Sequence, residues 1–389
     1  MISIQDKSRC SGCHACFLAC PQKCIRLVAD EEGFLYPQVD QKECSSCNLC
    51  EKVCPILNPH SISKETKPLA YAVKNANEDI RERSSSGGVF TAMAEYIIEQ
   101  GGLVFGAAFD NEFNVVHIRV DKKDDLEKLR GSKYVQSKIG YTYQEAKEAL
   151  ISGKPVFFTG TPCQIGGLKA FLKKDYEKLY TQDLICHGAP SPLVWKKYLE
   201  YLKDKYGAEV KYVSFRNKEK SWKKYSIFIH FENGQELKEP FTENLYMQAF
   251  LKNLSLRPSC YECQFKGVNR VSDITLADFW GIENTLSQMD DDKGTSLVMI
   301  HSDKGKELLE MISSKLQRQE VDALLAIQEN GSAVYSSPLS PKRKCFIDRL
   351  KKKSFEKNVK KCIKPSLYIR IKSLVKRGLQ KIKLIMGRK

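Results

Sequence analysis

No run of about 18 uninterrupted apolar residues occurs in this 389-residue chain, so no membrane-spanning helix is expected. The first residues, MISIQDKSRC, lack both a basic n-region and an apolar h-region, so no secretory signal is expected and the chain is placed in the cytoplasm. In that reducing compartment, clustered cysteines suggest metal ligands more than disulfides. Acidic residues are nearly missing from one segment. Between Lys342 and Lys389, Asp348 and Glu356 face nineteen Lys and Arg, whereas residues 1–341 hold 44 basic and 45 acidic side chains. The formal charge of +16 therefore belongs to one appendage. It does not make the whole chain a nucleic-acid binder, and no specific nucleic acid is expected as a partner. An apolar fraction of 42% and this length suit a soluble protein of two or more domains.

Cysteine is abundant and uneven: nine of fifteen precede residue 55. Residues 10–21 read CSGCHACFLACP and residues 44–55 read CSSCNLCEKVCP, the one internal repeat found. Both follow C-x2-C-x2-C-x3-C-P, in which three cysteines hold one cluster and the fourth reaches the other. Cys10, Cys13, Cys16 and Cys54 are thus expected on one 4Fe-4S cluster, and Cys44, Cys47, Cys50 and Cys20 on a second. Two such runs fit tetrahedral zinc poorly. Cys24 reads as a small buried apolar residue. The segment between the runs predicts two short strands around a turn at Glu32-Gly33. The pattern is similar to bacterial two-cluster ferredoxins and is expected to form a domain over 1–58, followed by a linker over 59–68.

Downstream, LAYAVKN reads as a strand and GGVFTAMAEYIIEQGG as a helix with Val89, Met93, Ala94, Ile97 and Ile98 on one face. Ser84, Ser85 and Ser86 are its cap candidates. With Gly87 and Gly88 they offer bare backbone N–H groups that suit a phosphate, although a plain capped helix reads the same way. LVFGAAF and NVVHIRV predict strands. From residue 141 the pattern alternates: helix TYQEAKEALISG, buried strand PVFFTG, helix CQIGGLKAFL, strand LYTQDLIC, long helix SPLVWKKYLEYLKDKYG. This predicts an α+β to α/β fold with a partly parallel sheet, whose sites gather at the carboxyl ends of strands. TGTPCQ and ICHG stand at two such ends, and RPSCYEC adds another C-x2-C. Cys163, Cys186, Cys260 and Cys263 are therefore candidate ligands of a third 4Fe-4S cluster. Zinc could use the same four, and Cys163 alone could be a nucleophile.

The segments SSSGGVFTAMAEYI, GGLVFGAAF, LRGSKYVQS, FFTGTPCQIGGLKAFL, DLICHG and RPSCYECQFKGVNRVSDITLADFWG together resemble the coenzyme F-420 hydrogenase/dehydrogenase beta-subunit family. The resemblance implies an FAD-containing iron–sulfur oxidoreductase acting on a small organic substrate or a deazaflavin-like coenzyme, with a redox partner protein such as ferredoxin. The alternative is a non-catalytic electron-transfer subunit. It implies lobes over 69–140 and 141–341, the latter with the third cluster and the flavin. Ser85, Ser86, Gly87 and Gly88 match the family's glycine-rich helix start, and Ser132, Lys133 and Tyr134 match a second polar loop expected near the flavin. Asn269, Arg270, Asp273, Asp278 and Trp280 match the motif after the C-x2-C; Asp278 and Trp280 read equally as structural. Lys133 and Arg270 are candidates to stabilise negative charge on flavin or phosphate. His187 is a candidate proton relay, or a hydrogen-bonded turn histidine.

Residues 342–389 are expected as a basic amphipathic tail, with Leu367, Ile371, Leu374, Ile382 and Ile385 on one face. Such a helix suits peripheral contact with an anionic inner membrane face, nucleic acid or an acidic partner protein, or packs on the body. Cys345 and Cys362 read as incidental.

Overall fold

The computed structural model describes residues 1–60 and 67–364. The N-terminal module is a hairpin of β1 (Ile25–Ala29) and β2 (Leu35–Val39), paired Ile25 to Val39 through Ala29 to Leu35. Short helical turns at Ala15–Leu18 and Leu49–Lys52 carry the cysteine runs. Gly33 turns the hairpin at φ +83°, a region that glycine enters without strain. The module's own core is small, Ile2, Cys24, Ile25 and Cys50, and Cys13, Ala15, Leu18 and Val53 pack instead with residues of the body.

The body is built on one eight-stranded sheet. Its strands are β3 (Leu69–Asn75), β4 (Leu103–Phe109), β5 (Val115–Val120), β6 (Val156–Thr159), β7 (Leu179–Leu184), and beyond them β11 (Ile274–Asp278), β12 (Ser296–Ile300) and β13 (Leu316–Val321). Their spatial order is β13-β3-β12-β11-β7-β6-β4-β5. The run β4-β6-β7-β11 is parallel and the outer pairings are antiparallel, so the sheet is partly parallel as expected. Central strands such as SLVMI and VFF are buried at every position, because helices cover both faces. One face holds the Val89–Glu99 and Asp303–Met311 helices. The other holds the Thr142–Ile151 and Pro162–Leu172 helices together with Cys13, Ala15, Leu18 and Val53 of the N-terminal module. This one sheet takes strands from both sides of residue 140, so the expected lobe boundary runs through it.

A second, antiparallel sheet of β8 (Val210–Asn217), β9 (Ser226–Phe231) and β10 (Glu236–Pro240) packs with the Pro192–Tyr206 and Leu245–Leu251 helices. The start of the basic tail also belongs here. Helices Arg343–Leu350 and Phe355–Ile363 bury Phe346, Leu350, Phe355, Val359 and Cys362 in the same core. Arg343 forks onto Glu32 of the N-terminal module, Nη1 to Oε1 at 3.0 Å and Nη2 to Oε2. The tail expected from residue 342 is thus body as far as Ile363, and Cys362 is a core residue. The amphipathic helix expected beyond Lys364 lies outside the described residues. Among the described residues, no helix is long and apolar enough to cross a membrane.

Candidate functional site

Three cavities are ringed by cysteine. One is lined by Cys10, Cys13, Cys16 and Cys54. Another is lined by Cys20, Cys44, Cys47 and Cys50, with Cys24 beside them, its sulfur 3.4 Å from that of Cys20. The third, in the body, is lined by Cys163, Cys186, Cys260 and Cys263. They enclose about 420, 320 and 610 Å3, counting space that opens to solvent. Among the described residues, no group of three His, Cys, Asp or Glu side chains converges tightly enough to hold a single metal ion; the thiols ring wider spaces instead. The first and third cavities share Ser11 and Ile56 in their walls and so adjoin one another. Cys47, in the remaining set, is exposed.

Local structure explains how the third set assembles. β6 and β7 are parallel neighbours, so the segments leaving their carboxyl ends emerge side by side. Pro162 opens the helix after β6, where its missing N–H costs nothing. Cys163 follows in the first turn, with Thr161 Oγ1 3.2 Å from its sulfur. Cys186 follows β7, and the Ala189 N–H donates to Cys260 Sγ at 3.3 Å. Burial pushes the Cys163 thiol well above its usual range, Cys186 up to about 12 and Cys260 up to about 11, and the neighbouring cysteines add repulsion. Thiolates crowded in a buried pocket would need a cationic partner. Two cations stand in the wall. Lys266 donates to Cys186 O and, at 2.7 Å, to Ser332 O. Arg270 donates to Phe265 O and, at 2.9 Å, to Ala333 O. Arg270 therefore belongs to the cysteine cavity. His187 also lines it, its Nε2 2.7 Å from Asn253 Oδ1, and burial lowers its pKa.

The Gly166-Gly167 pair in the same helix has a packing role that the sequence reading missed. A Cβ on Gly167 would lie 2.7 Å from Cys13 Cβ and 3.0 Å from its sulfur. One on Gly166 would lie 2.8 Å from Phe265. The helix that begins at Cys163 thus lets Cys13 pack directly on its glycine face.

The remaining expected residues divide. The helix at Val89 is capped by Gly88 at φ +81°, not by the serines. Ser84 donates back to Ile80 O, Ser86 donates to Thr295 O, and Ser85 accepts from the Ser132 N–H at 2.7 Å and is 2.9 Å from its hydroxyl. The Gly87 N–H is not bare: it donates to Ser296 Oγ at 2.9 Å, and a Cβ there would lie 2.3 Å from Val73 O. Gly87 is thus a packing glycine. Asp273 is also structural, latching β7 to the start of β11 by accepting from the Thr181 N–H and the hydroxyls of Thr181 and Ser302. Lys133 turns back on its own loop, donating to the carbonyls of Leu129, Arg130 and Gly131, and burial lowers its pKa to about 7. Asn269 lies in the loop between Cys263 and β11.

Two residues missed by the sequence reading tie the rest together. Arg216, on β8, pairs with Asp278 at 2.9 Å and reaches Ser85 O at 3.5 Å, its guanidinium 3.9 Å from the Tyr225 ring centre and 5.4 Å from that of Trp280. Lys218 donates to Arg81 O, Ser86 O and Lys293 O, and burial lowers its pKa to about 8. Asp278 also accepts from Trp222 Nε1, while Trp222 stacks on Trp280 at 4.9 Å. In this cluster, the Arg216 cradle, Arg216 Nε and Asn217 Oδ1 are buried without a partner. Tyr134 links this cradle to the third cavity: its ring lies 5.1 Å from Phe250, which lies 5.0 Å from His187. The FRNK stretch, a strand ending in cations, was the available sequence signal.

Comparison with known proteins follows these divisions. Residues 9–57 match a 4Fe-4S dicluster domain. Residues 70–141 match the N-terminal part, and residues 153–323 the C-terminal part, of the coenzyme F420 hydrogenase/dehydrogenase beta subunit. No curated protein matches the chain. A chain of the F420-reducing [NiFe] hydrogenase complex from Methanosarcina barkeri, solved with xenon derivatization, is 19% identical over 78% of this chain and 94% of its own, at a TM-score of 0.45. With the N-terminal and C-terminal models of the beta subunit both matched, in order and together over more than half of the chain, the chain belongs to the coenzyme F420 hydrogenase/dehydrogenase beta-subunit family and carries a 4Fe-4S dicluster domain in front.

Proposed function

We propose that the protein is an iron–sulfur flavoprotein oxidoreductase with three 4Fe-4S clusters and one FAD, acting on a small organic substrate or deazaflavin-like coenzyme. The observation that carries this reading is the succession of sites. The Cys20–Cys44–Cys47–Cys50 set reaches the surface at Cys47, the Cys10 set adjoins the Cys163 set through Ser11 and Ile56, and aromatic rings join that cavity to the Arg216 cradle. Clusters would supply single-electron transfer along this line, and FAD its conversion to hydride chemistry. The four thiols of each cavity would hold one cluster. Arg216, Lys218, Ser85, Ser86 and Ser132, with Gly88 and Tyr134 near them, would hold the flavin, where the two cations would favour its negative groups. A soluble redox protein such as ferredoxin suits the exposed Cys47 end.

The family's description as a subunit supports a second reading, an electron-transfer subunit that feeds a partner enzyme. A cytoplasmic location, with residues 365–389 touching an anionic membrane face, belongs to either reading. The test is flavin bleaching by reduced ferredoxin in the anaerobic full-length protein. Reduction is expected in the unsubstituted protein and at least about tenfold slower in Cys163→Ser, because the third site interrupts the line. Equal rates in both would reject the succession. Flavin reduction without turnover of any small acceptor would favour the subunit reading.

A further inference from the structure

Arg257 stands three residues before Cys260 and is 1% exposed. Its main chain braces two residues of the third cavity's wall: its carbonyl accepts from the Cys260 N–H at 2.9 Å, and its own N–H donates to Ala189 O at 2.9 Å. Its side chain leaves the body and enters the N-terminal module. Nε donates to Cys10 O at 2.7 Å, Nη2 to Leu35 O at 3.0 Å and to Cys10 Sγ at 3.4 Å, and Nη1 to Gln136 Oε1 at 3.0 Å. The guanidinium lies 4.3 Å from the Tyr36 ring centre and 5.3 Å from that of Phe34. Gly12 permits this closure, since a Cβ there would lie 2.7 Å from Nη1.

No Asp or Glu oxygen is among these hydrogen-bond partners. A buried cation in a cage of neutral groups is costly unless a negative group shares the site, and Cys10 is the hydrogen-bonded partner able to carry that charge. The other two sets differ. Cys50 accepts from the Ile2 backbone N–H at 3.3 Å, and Cys260 from the Ala189 N–H. Among the described residues, Arg257 is the one charged side chain hydrogen-bonded to a cysteine sulfur.

We propose that Arg257 is a positioning residue that raises the reduction potential of the cluster held by Cys10, Cys13, Cys16 and Cys54 above that of the cluster held by Cys20, Cys44, Cys47 and Cys50. An electron entering at the Cys47 end then settles beside the third cavity. This rests on the reading that both sets hold clusters. Reduction adds one negative charge to a site of low dielectric, and a fixed cation 3.4 Å from a ligating sulfur favours the reduced form. One electron arrives and one leaves, no bond changes, and the guanidinium keeps its proton.

The test compares full-length Arg257→Met and Arg257→Lys with the unsubstituted protein, isolated anaerobically and titrated with dithionite under electron paramagnetic resonance. In the Met variant one cluster is expected to become about tenfold harder to reduce, about 59 mV for a one-electron couple. The others should stay in place and the iron content should hold. The Lys variant keeps the charge but not the fork and should shift less. Full iron with every midpoint unchanged would overturn the proposal. So would an equal shift of all clusters, or loss of about four irons from both variants, which would make Arg257 a residue of assembly. Missing clusters in the unsubstituted protein would instead bring down the reading beneath it.

Discussion

Ten of the twelve candidate cysteines were readable from spacing because the information is local: each C-x2-C-x2-C-x3-C run and the C-x2-C loop fits within a dozen residues, whereas Cys163 and Cys186 were candidates only through their place at strand ends. Arg216 and Arg257 were not, because their partners lie far away in the chain: Asp278 for one, and Cys10, 247 residues distant, for the other. A single buried arginine has no period and no motif. Gly87 misled for a related reason. A glycine at a helix start can admit a phosphate or another piece of backbone, and only the position of Val73 and Ser296 shows which. The Arg216–Asp278 pair yields a prediction at this scale. Arg216→Met leaves Asp278, largely buried, without its cation, and should cost about 3 kcal/mol of stability, read as a lower urea midpoint. It should also release flavin, whereas Arg216→Lys should recover part of both. A Met variant with unchanged midpoint and full flavin would show that the cradle is not there.

At the scale of elements, periodicity placed most strands and helices, and the charge count hid one feature. Nineteen basic residues made everything after Lys342 read as an appendage. Yet Phe346, Leu350, Phe355, Val359 and Cys362 form an apolar stripe within that charge and bury against the second sheet. The Pro162–Leu172 helix shows the converse. Its helical character was readable, but the use of Gly166-Gly167 depended on Cys13, about 150 residues earlier. On an open helix face, Gly→Ala would stabilise by up to about 1 kcal/mol. Gly167→Ala should instead destabilise by about 1–3 kcal/mol, because the new methyl meets Cys13 Cβ and sulfur with little room to yield. The N-terminal module should then be cleaved sooner in limited proteolysis under anaerobic conditions. Unchanged cleavage with a raised melting temperature would contradict the close packing.

For the whole molecule, the expected class, an α/β body with a partly parallel sheet behind a two-cluster module, was readable from strand–helix alternation and the cysteine repeat. The edge order was not, since β3, the first strand of the body, pairs antiparallel with β12 and β13, which come far later in the chain. The buried histidines give the molecule an acid-sensitive side. Away from the cysteine cavities, burial lowers two of them, His117 to about 4 and His301 to about 3. Their unfolded forms bind more protons between pH 6.5 and 4, so this stability is lost as pH falls through that window. Burial raises Asp183 to about 6, which acts in the opposite direction between about pH 4 and 6. Two histidines outweigh one acid, and stability should fall by on the order of 2 kcal/mol from pH 6.5 to 5, seen as a lower urea midpoint. A midpoint that stays level or rises would show that these histidines are not held neutral. Counting metal in the anaerobically isolated protein and in Cys163→Ser decides whether three clusters occupy the three thiol-lined cavities. About twelve irons per chain, falling to about eight in the variant with the N-terminal pair intact, is the predicted result. About eight irons with one bound zinc in the unsubstituted protein, or an iron content indifferent to Cys163→Ser, would contradict it.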